Sequence, residues 1–185
     1  MKSVVISLLT ILLAGCAGAG RNSVPMDVFD FGVSTRAPSA STQWSKVALE
    51  VRAPHWRDAL AIDYRLLYEN PLKLRTYAAS RWAGPPTQLL AQQWQQQLGV
   101  LAGSGRPVVN CLLVVDVREF AQWFDTPQLS RGVLHAHASV FDAGRRPIAQ
   151  RVMTSEQAAA GADARSGVAA LVASGDELGR HGAGG

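Results

Sequence analysis

Residues 87–101 constrain the architecture most. Leu90, Trp94, Leu98 and Leu101 recur there at three- and four-residue spacing, and Gln88, Gln92, Gln93, Gln95 and Gln96 take the remaining faces. That pattern is a helix with one buried stripe. Gly84-Pro85-Pro86 opens it, since proline is tolerated in a first helical turn. A single-striped helix must bury that stripe against a neighbouring layer, and the segments on either side of it read as strands.

Val28, Phe29, Phe31 and Val33 predict a first strand over residues 26–33, followed by a Ser/Thr/Ala/Pro-rich loop over 34–43. From Trp44 to Val51 the chain alternates, with Val47, Leu49 and Val51 on one face and Lys46, Ala48 and Glu50 on the other. Pro54 ends that strand, and residues 55–61 read as a turn or one helical turn. Residues 62–68 and 72–78 form a hairpin around Glu69-Asn70-Pro71. After a turn at Gly103-Ser104-Gly105, residues 108–120 are apolar on both faces at their start, as in a central strand. Residues 132–141 and 147–153 pair across Asp142-Ala143-Gly144-Arg145-Arg146. Val168, Leu171, Val172 and Leu178 make a last helical stripe, weakened by Gly167 and Gly175. The fold class is therefore α/β in the α+β sense. It is a two-layer sandwich, with a mainly antiparallel sheet and both helices on one face.

The N-terminus fixes the address. Met1-Lys2-Ser3 is a short charged start, residues 4–12 are a compact apolar run, and Leu13-Ala14-Gly15-Cys16 follows. These parts make a secretory signal peptide. The apolar run is far short of the roughly 20 residues a membrane-spanning helix needs. Leu13, Ala14 and Gly15 before Cys16 resemble the bacterial lipobox, which implies lipidation of Cys16 after removal of residues 1–15. Several acyl chains together anchor a protein stably where one does not. Ala17, in place of an aspartate, leans the destination towards the outer membrane. Residues 16–25 read as a flexible tether, 26–180 as one domain and 181–185 as a disordered tail.

The bulk numbers exclude more than they suggest. The formal charge of +4 on 185 residues is scattered, which gives no footprint for nucleic acid. The two cysteines are Cys16 and Cys111. With Cys16 acylated, Cys111 has no intramolecular partner, and its apolar surroundings place it in the core. The chain lacks Gly-x-Ser-x-Gly, a phosphate-binding loop, His-Glu-x-x-His and a dinucleotide fingerprint. No catalytic residue and no cofactor can be named. His135 and His137 share one strand face, but a metal needs further ligands, and a polar strand face accounts for both. Asp58, Asp63, Asp116 and Glu119 could serve as acids or bases, yet nothing beside them looks like a nucleophile, and turns or strand ends explain them. Of the five tryptophans, Trp94 lies on the helix stripe. Trp123-Phe124 falls in a loop or strand extension, where it could meet a protein or lipid or fold back onto the core.

Several stretches together resemble the ABC-type transport auxiliary lipoprotein family, which includes the paraquat-inducible operon lipoproteins. They are the lipobox, Phe29-Asp30-Phe31-Gly32, Val47-Ala48-Leu49-Glu50-Val51 leading to Ala53-Pro54-His55-Trp56-Arg57-Asp58, and Ile62-Asp63-Tyr64-Arg65. Tyr77-Ala78-Ala79-Ser80-Arg81-Trp82-Ala83-Gly84-Pro85 and Asp116-Val117-Arg118-Glu119-Phe120 complete the set. Gly84 stands where members often carry an acidic residue. The resemblance implies a non-enzymatic, membrane-anchored accessory of an ABC/MCE-type system that moves lipids or other hydrophobic compounds between membranes. Its partners would be the MCE-domain protein and its transporter, on the periplasmic side of the outer membrane. Arg81, Trp82, Trp123 and Phe124 are the candidate contacts, because arginine and aromatics dominate interface energy. Lipid binding and a homo-oligomeric state are left open. Three alternatives remain: a periplasmic carrier with an acyl chain between helices and sheet, an envelope-assembly lipoprotein unrelated to transport and, last, an envelope enzyme, for which no nucleophile–base pair can be named.

Overall fold

Alternation and turn chemistry divide the chain much as the sequence predicts. The computed structural model describes residues 25–33, 44, 46–102 and 110–183. The segments expected as signal peptide (1–15), lipidated Cys16, tether (up to residue 24), loop (34–43) and turn (103–105) lie outside the described residues, as do the last two residues of the expected tail. Four strands come first: β1 (Asp27–Phe29), β2 (Val47–Arg52), β3 (Ala61–Leu66) and β4 (Leu74–Trp82). Helix α1 (Pro86–Leu98) and strands β5 (Leu101–Ala102), β6 (Cys111–Phe124), β7 (Ser130–Asp142) and β8 (Pro147–Ala158) follow, then helix α2 (Ala164–Ala183).

All eight strands form one mixed sheet organised by β6. On one edge β6 pairs antiparallel with β7, and β7 pairs antiparallel with β8. The other edge of β6 is shared end to end. β2 runs parallel to residues 111–116, and β3 runs parallel to residues 122–124. The segment between β2 and β3 therefore spans a gap in the ladder. β4 lies antiparallel to β3, β1 parallel to β4, and β5 parallel to β2. The antiparallel pairing expected from the hairpins holds in those hairpins. The parallel pairings come from long-range connections that carry no local signal.

Both helices pack on one face of the sheet, as expected. The stripe of α1 buries Leu90, Trp94 and Leu98 against Leu49, Val115 and Val117, and α2 adds Val168, Leu171 and Leu178. Two helix boundaries differ from the sequence reading. Gly99 adopts φ 66° and caps α1, so Leu101 starts a strand instead of ending the helix. α2 runs through His181 to Ala183, past the point where a disordered tail is expected, and carries Arg180 and His181 in its last turn, where cations suit the helix dipole.

The glycines that weaken α2 in isolation let it approach closely. A Cβ on Gly132 of β7 would lie 2.5 Å from the α2 backbone at Ala170 and Leu171. The Ser174 hydroxyl donates to the Gly132 carbonyl at 2.9 Å, and the Trp94 indole N–H donates to the Gly175 carbonyl at 2.8 Å. The start of α1 is fixed from outside, with Thr87 N–H donating to the Asp58 carboxylate at 3.0 Å.

Candidate functional site

The register of β6 slips between Val117 and Glu119. Val115, Val117 and Phe120 therefore all reach the helical layer, whereas Glu119 and Trp123 project from the opposite face, which is helix-free among the described residues. Glu119 lies beside the gap between β2 and β3. There Arg57, from the connecting segment, meets its carboxylate at 2.9 Å, and Arg65 of β3 meets it through Nε and Nη2 at 3.1 and 3.2 Å. All three side chains are nearly buried, at 11, 13 and 10% exposure for Arg57, Arg65 and Glu119. Trp56 lies against the Arg57 guanidinium, 4.6 Å from ring centre to charge, and is itself 54% exposed.

A second group continues along that face. Trp123 meets His135 edge-on at 5.5 Å, and Arg131 sits over the indole at 5.6 Å. Arg131 also pairs with Asp125 and with Glu156, the latter at 2.9 Å. His135 and His137 share this face, opposite Glu119 and Asp116 in the ladder. Among the described residues no cluster of three or more His, Cys, Asp or Glu could hold a metal ion.

Burial raises the Asp63 carboxyl from 3.8 to about 6, with Arg57 opposing the rise and Glu119 adding to it. The sign follows directly. Between the unfolded value and about 6 the folded state holds a proton that the unfolded state has lost, so stability falls as pH rises through that window. Asp63→Asn is expected to raise the urea midpoint at about pH 7.5 and leave it nearly unchanged at about pH 4. An unchanged midpoint at the higher pH would show that the charged form is not disfavoured.

The four expected contacts separate. Trp82 is 1% exposed, stacked on Phe120 at 5.6 Å and met edge-on by Phe31 at 5.6 Å. Phe124 is 6% exposed and packs on Tyr64. Both are core residues, a correction that strand alternation explains: the neighbours Arg81 and Trp123 take the other face. Arg81 is exposed and Trp123 half-buried. Cys111 is a free thiol but only half-buried, at the uncovered start of β6. The Arg57–Glu119–Arg65 cluster is absent from the sequence reading, because only the fold brings residues 54 and more apart together.

A groove opens on the other face, where the helices stop short of the sheet's end. Leu49, Leu98, Val115 and Leu178 line it, with Leu113 and Val140 further out and Met153 on β8, around a cavity of about 590 Å³. That volume is within the roughly 300–1,000 Å³ of small-molecule sites.

No family model matches the chain, and no curated protein matches its sequence. Solved structures do. The crystal structure of protein XCC0632 from Xanthomonas campestris, of the family model DUF330, has TM-score 0.67 at 19% identity, over 85% of this chain and 92% of that one. An uncharacterised protein has TM-score 0.66 at 16% identity, over 86% of this chain and 97% of that one. At these identities the likeness establishes a shared fold. Lipoprotein GNA1162 from Neisseria meningitidis overlaps at a TM-score of only 0.29, with 13% identity over 69% of this chain and 90% of that one, too little to argue from. Among the described residues no helix is long and apolar enough to cross a membrane.

Proposed function

We propose that this chain is a lipoprotein of the bacterial envelope, anchored through Cys16. It acts as a non-enzymatic accessory of an ABC/MCE-type transport system and docks the MCE component at the periplasmic side of the outer membrane. The observation that carries the docking surface is the helix-free face, on which Trp56, Arg57, Trp123 and Arg131 are held in place by stacking and ion pairs. Preformed arginine and aromatic groups spend little entropy on binding and supply most interface energy. The lipobox supplies the anchor, and confinement to a membrane raises the effective concentration for a partner there. Arg81 and Trp123 remain contacts in this reading, whereas Trp82 and Phe124 act only through the core.

The test is recovery of partners from mildly solubilised envelopes with a tag after Gly185. Wild type should bring down an MCE-domain protein. Trp56→Ala combined with Arg81→Glu, both at exposed positions, should reduce that recovery about tenfold, the effect of two modest contacts. Equal recovery by the variant, or none by either, sinks the docking role.

The groove favours a second reading, the periplasmic carrier, because an apolar cavity between helices and sheet is what an acyl chain requires.

A further inference from the structure

The groove arises from a mismatch of lengths. At about 3.3 Å per residue the 13 residues of β7 span about 43 Å. At 1.5 Å per residue the 20 residues of α2 span about 30 Å. α2 crosses β7 at Gly132 and reaches the groove at Leu178, Gly179 and His181. Beyond that point β6, β7 and β8 continue without helical cover among the described residues. Leu113, Val140 and Met153 are left only half-buried on a face that elsewhere is core.

The lining has one charge sign. Among the described residues Arg151 and His181 are its titratable side chains, and no described aspartate or glutamate lines it. Arg151 is exposed on β8 and shares the helix-side face with Met153, two residues on. It makes no ion pair with a described residue. The nearest acidic positions along α2 are engaged elsewhere: Glu177 accepts hydrogen bonds from Ser155 and Gln157, and Asp176 pairs with Arg180 at 2.8 Å. The Trp44 indole N–H, also in the lining, is buried without an acceptor among the described residues. An apolar floor with a cationic rim fits an apolar chain that ends in an anion.

We infer that the groove between the helix ends and β6–β8 binds one acyl chain of an anionic phospholipid, with the phosphate at Arg151. This deepens the carrier reading and is independent of docking to an MCE component. Binding should displace water from the half-buried strand residues while the headgroup stays at the exposed β8 rim.

The test places a photoreactive phenylalanine analogue at Val140 or Met153 of the full chain, in cells grown on radiolabelled phosphate. A third position, His137, lies on the opposite sheet face and serves as control. Illumination should attach labelled phospholipid at the two groove positions and not at His137. Arg151→Glu, at an exposed strand position that does not threaten folding, should lower the label about fivefold, the worth of one partly exposed charge contact. Absence of label above the control overturns the inference, as does label indifferent to Arg151→Glu. The chain's own anchor carries no phosphate, so an unlabelled acyl adduct, or a crosslink to a second copy, also overturns it. MCE recovery in the same cells reports separately on docking.

Discussion

Trp82→Ala will cost about 3–5 kcal/mol of stability, a large part of the roughly 5–15 kcal/mol that holds a domain together. The indole is 1% exposed and sits between Phe120 and Phe31, so its loss opens a cavity that backbone pairing on both sides keeps from closing. The backbone around the ring is fixed on both sides: Trp82 pairs with Phe29 in the β1–β4 ladder, and its backbone N–H donates to the carbonyl of Leu60, just before β3, at 2.7 Å. Urea unfolding followed by circular dichroism should show a strongly lowered midpoint, with Trp82→Phe recovering most of it. Trp123→Ala should lose far less, because that ring is half-buried and borders solvent. Equal losses at the two positions would contradict the assignment of Trp82 to the core. The consequence for function is direct. Loss of partner binding in Trp82→Ala would report unfolding, so the docking face must be probed at Trp56, Arg81 and Trp123.

Periodicity exposed the layers and alternation exposed the faces, because each is local. The α1 stripe at Leu90, Trp94 and Leu98 is readable from spacing alone, and so is the apolar face of β7 at Leu134, Ala136 and Ala138. The β3–β4 and β7–β8 turns are equally local: Leu72 N–H donates to the Asn70 side chain, and Arg145 N–H to the Asp142 carbonyl. What lay beyond reach was pairing over distance. Nothing near Val47 or Tyr64 says that β2 and β3 share one edge of β6, and hence that Arg57 and Arg65 converge on Glu119. The register slip before Glu119 is equally silent in the sequence, because it is defined only by pairing with β7. Gly167 and Gly175 misled in another way. Intrinsic propensity marks them as helix weaknesses, whereas a Cβ at either would run into Gln122 or Gln93. The lipobox remains a sequence finding, and the groove became visible only once helix and strand lengths could be compared in place.

Glu119→Ala should destabilise the fold by about 3–5 kcal/mol, the cost of breaking a buried ion cluster from one side. The carboxylate is the shared counter-ion of Arg57 and Arg65, and its removal leaves two nearly buried guanidiniums facing each other. Arg57 already has one nitrogen, Nη1, buried with no hydrogen-bond partner among the described residues. Glu119→Gln keeps the volume and one acceptor oxygen and should lose less than alanine, while still removing the charge. The two variants therefore separate packing from electrostatics. Asp63 supplies an internal reporter. Glu119 is one of the groups that raise its carboxyl pKa, and Arg57 and Arg65 lower it. With Glu119 neutral, both guanidiniums act on Asp63 alone, so its titration should move down from about 6 in Glu119→Gln. A carbon-detected titration of the Asp63 carboxyl would register that fall even where overall stability changes little. A titration that stayed in place would mean that the arginines have swung to solvent. The helix-free face would then owe its arrangement to Trp56 and Trp123, and docking would rest on aromatic packing with no contribution from a fixed cationic pair.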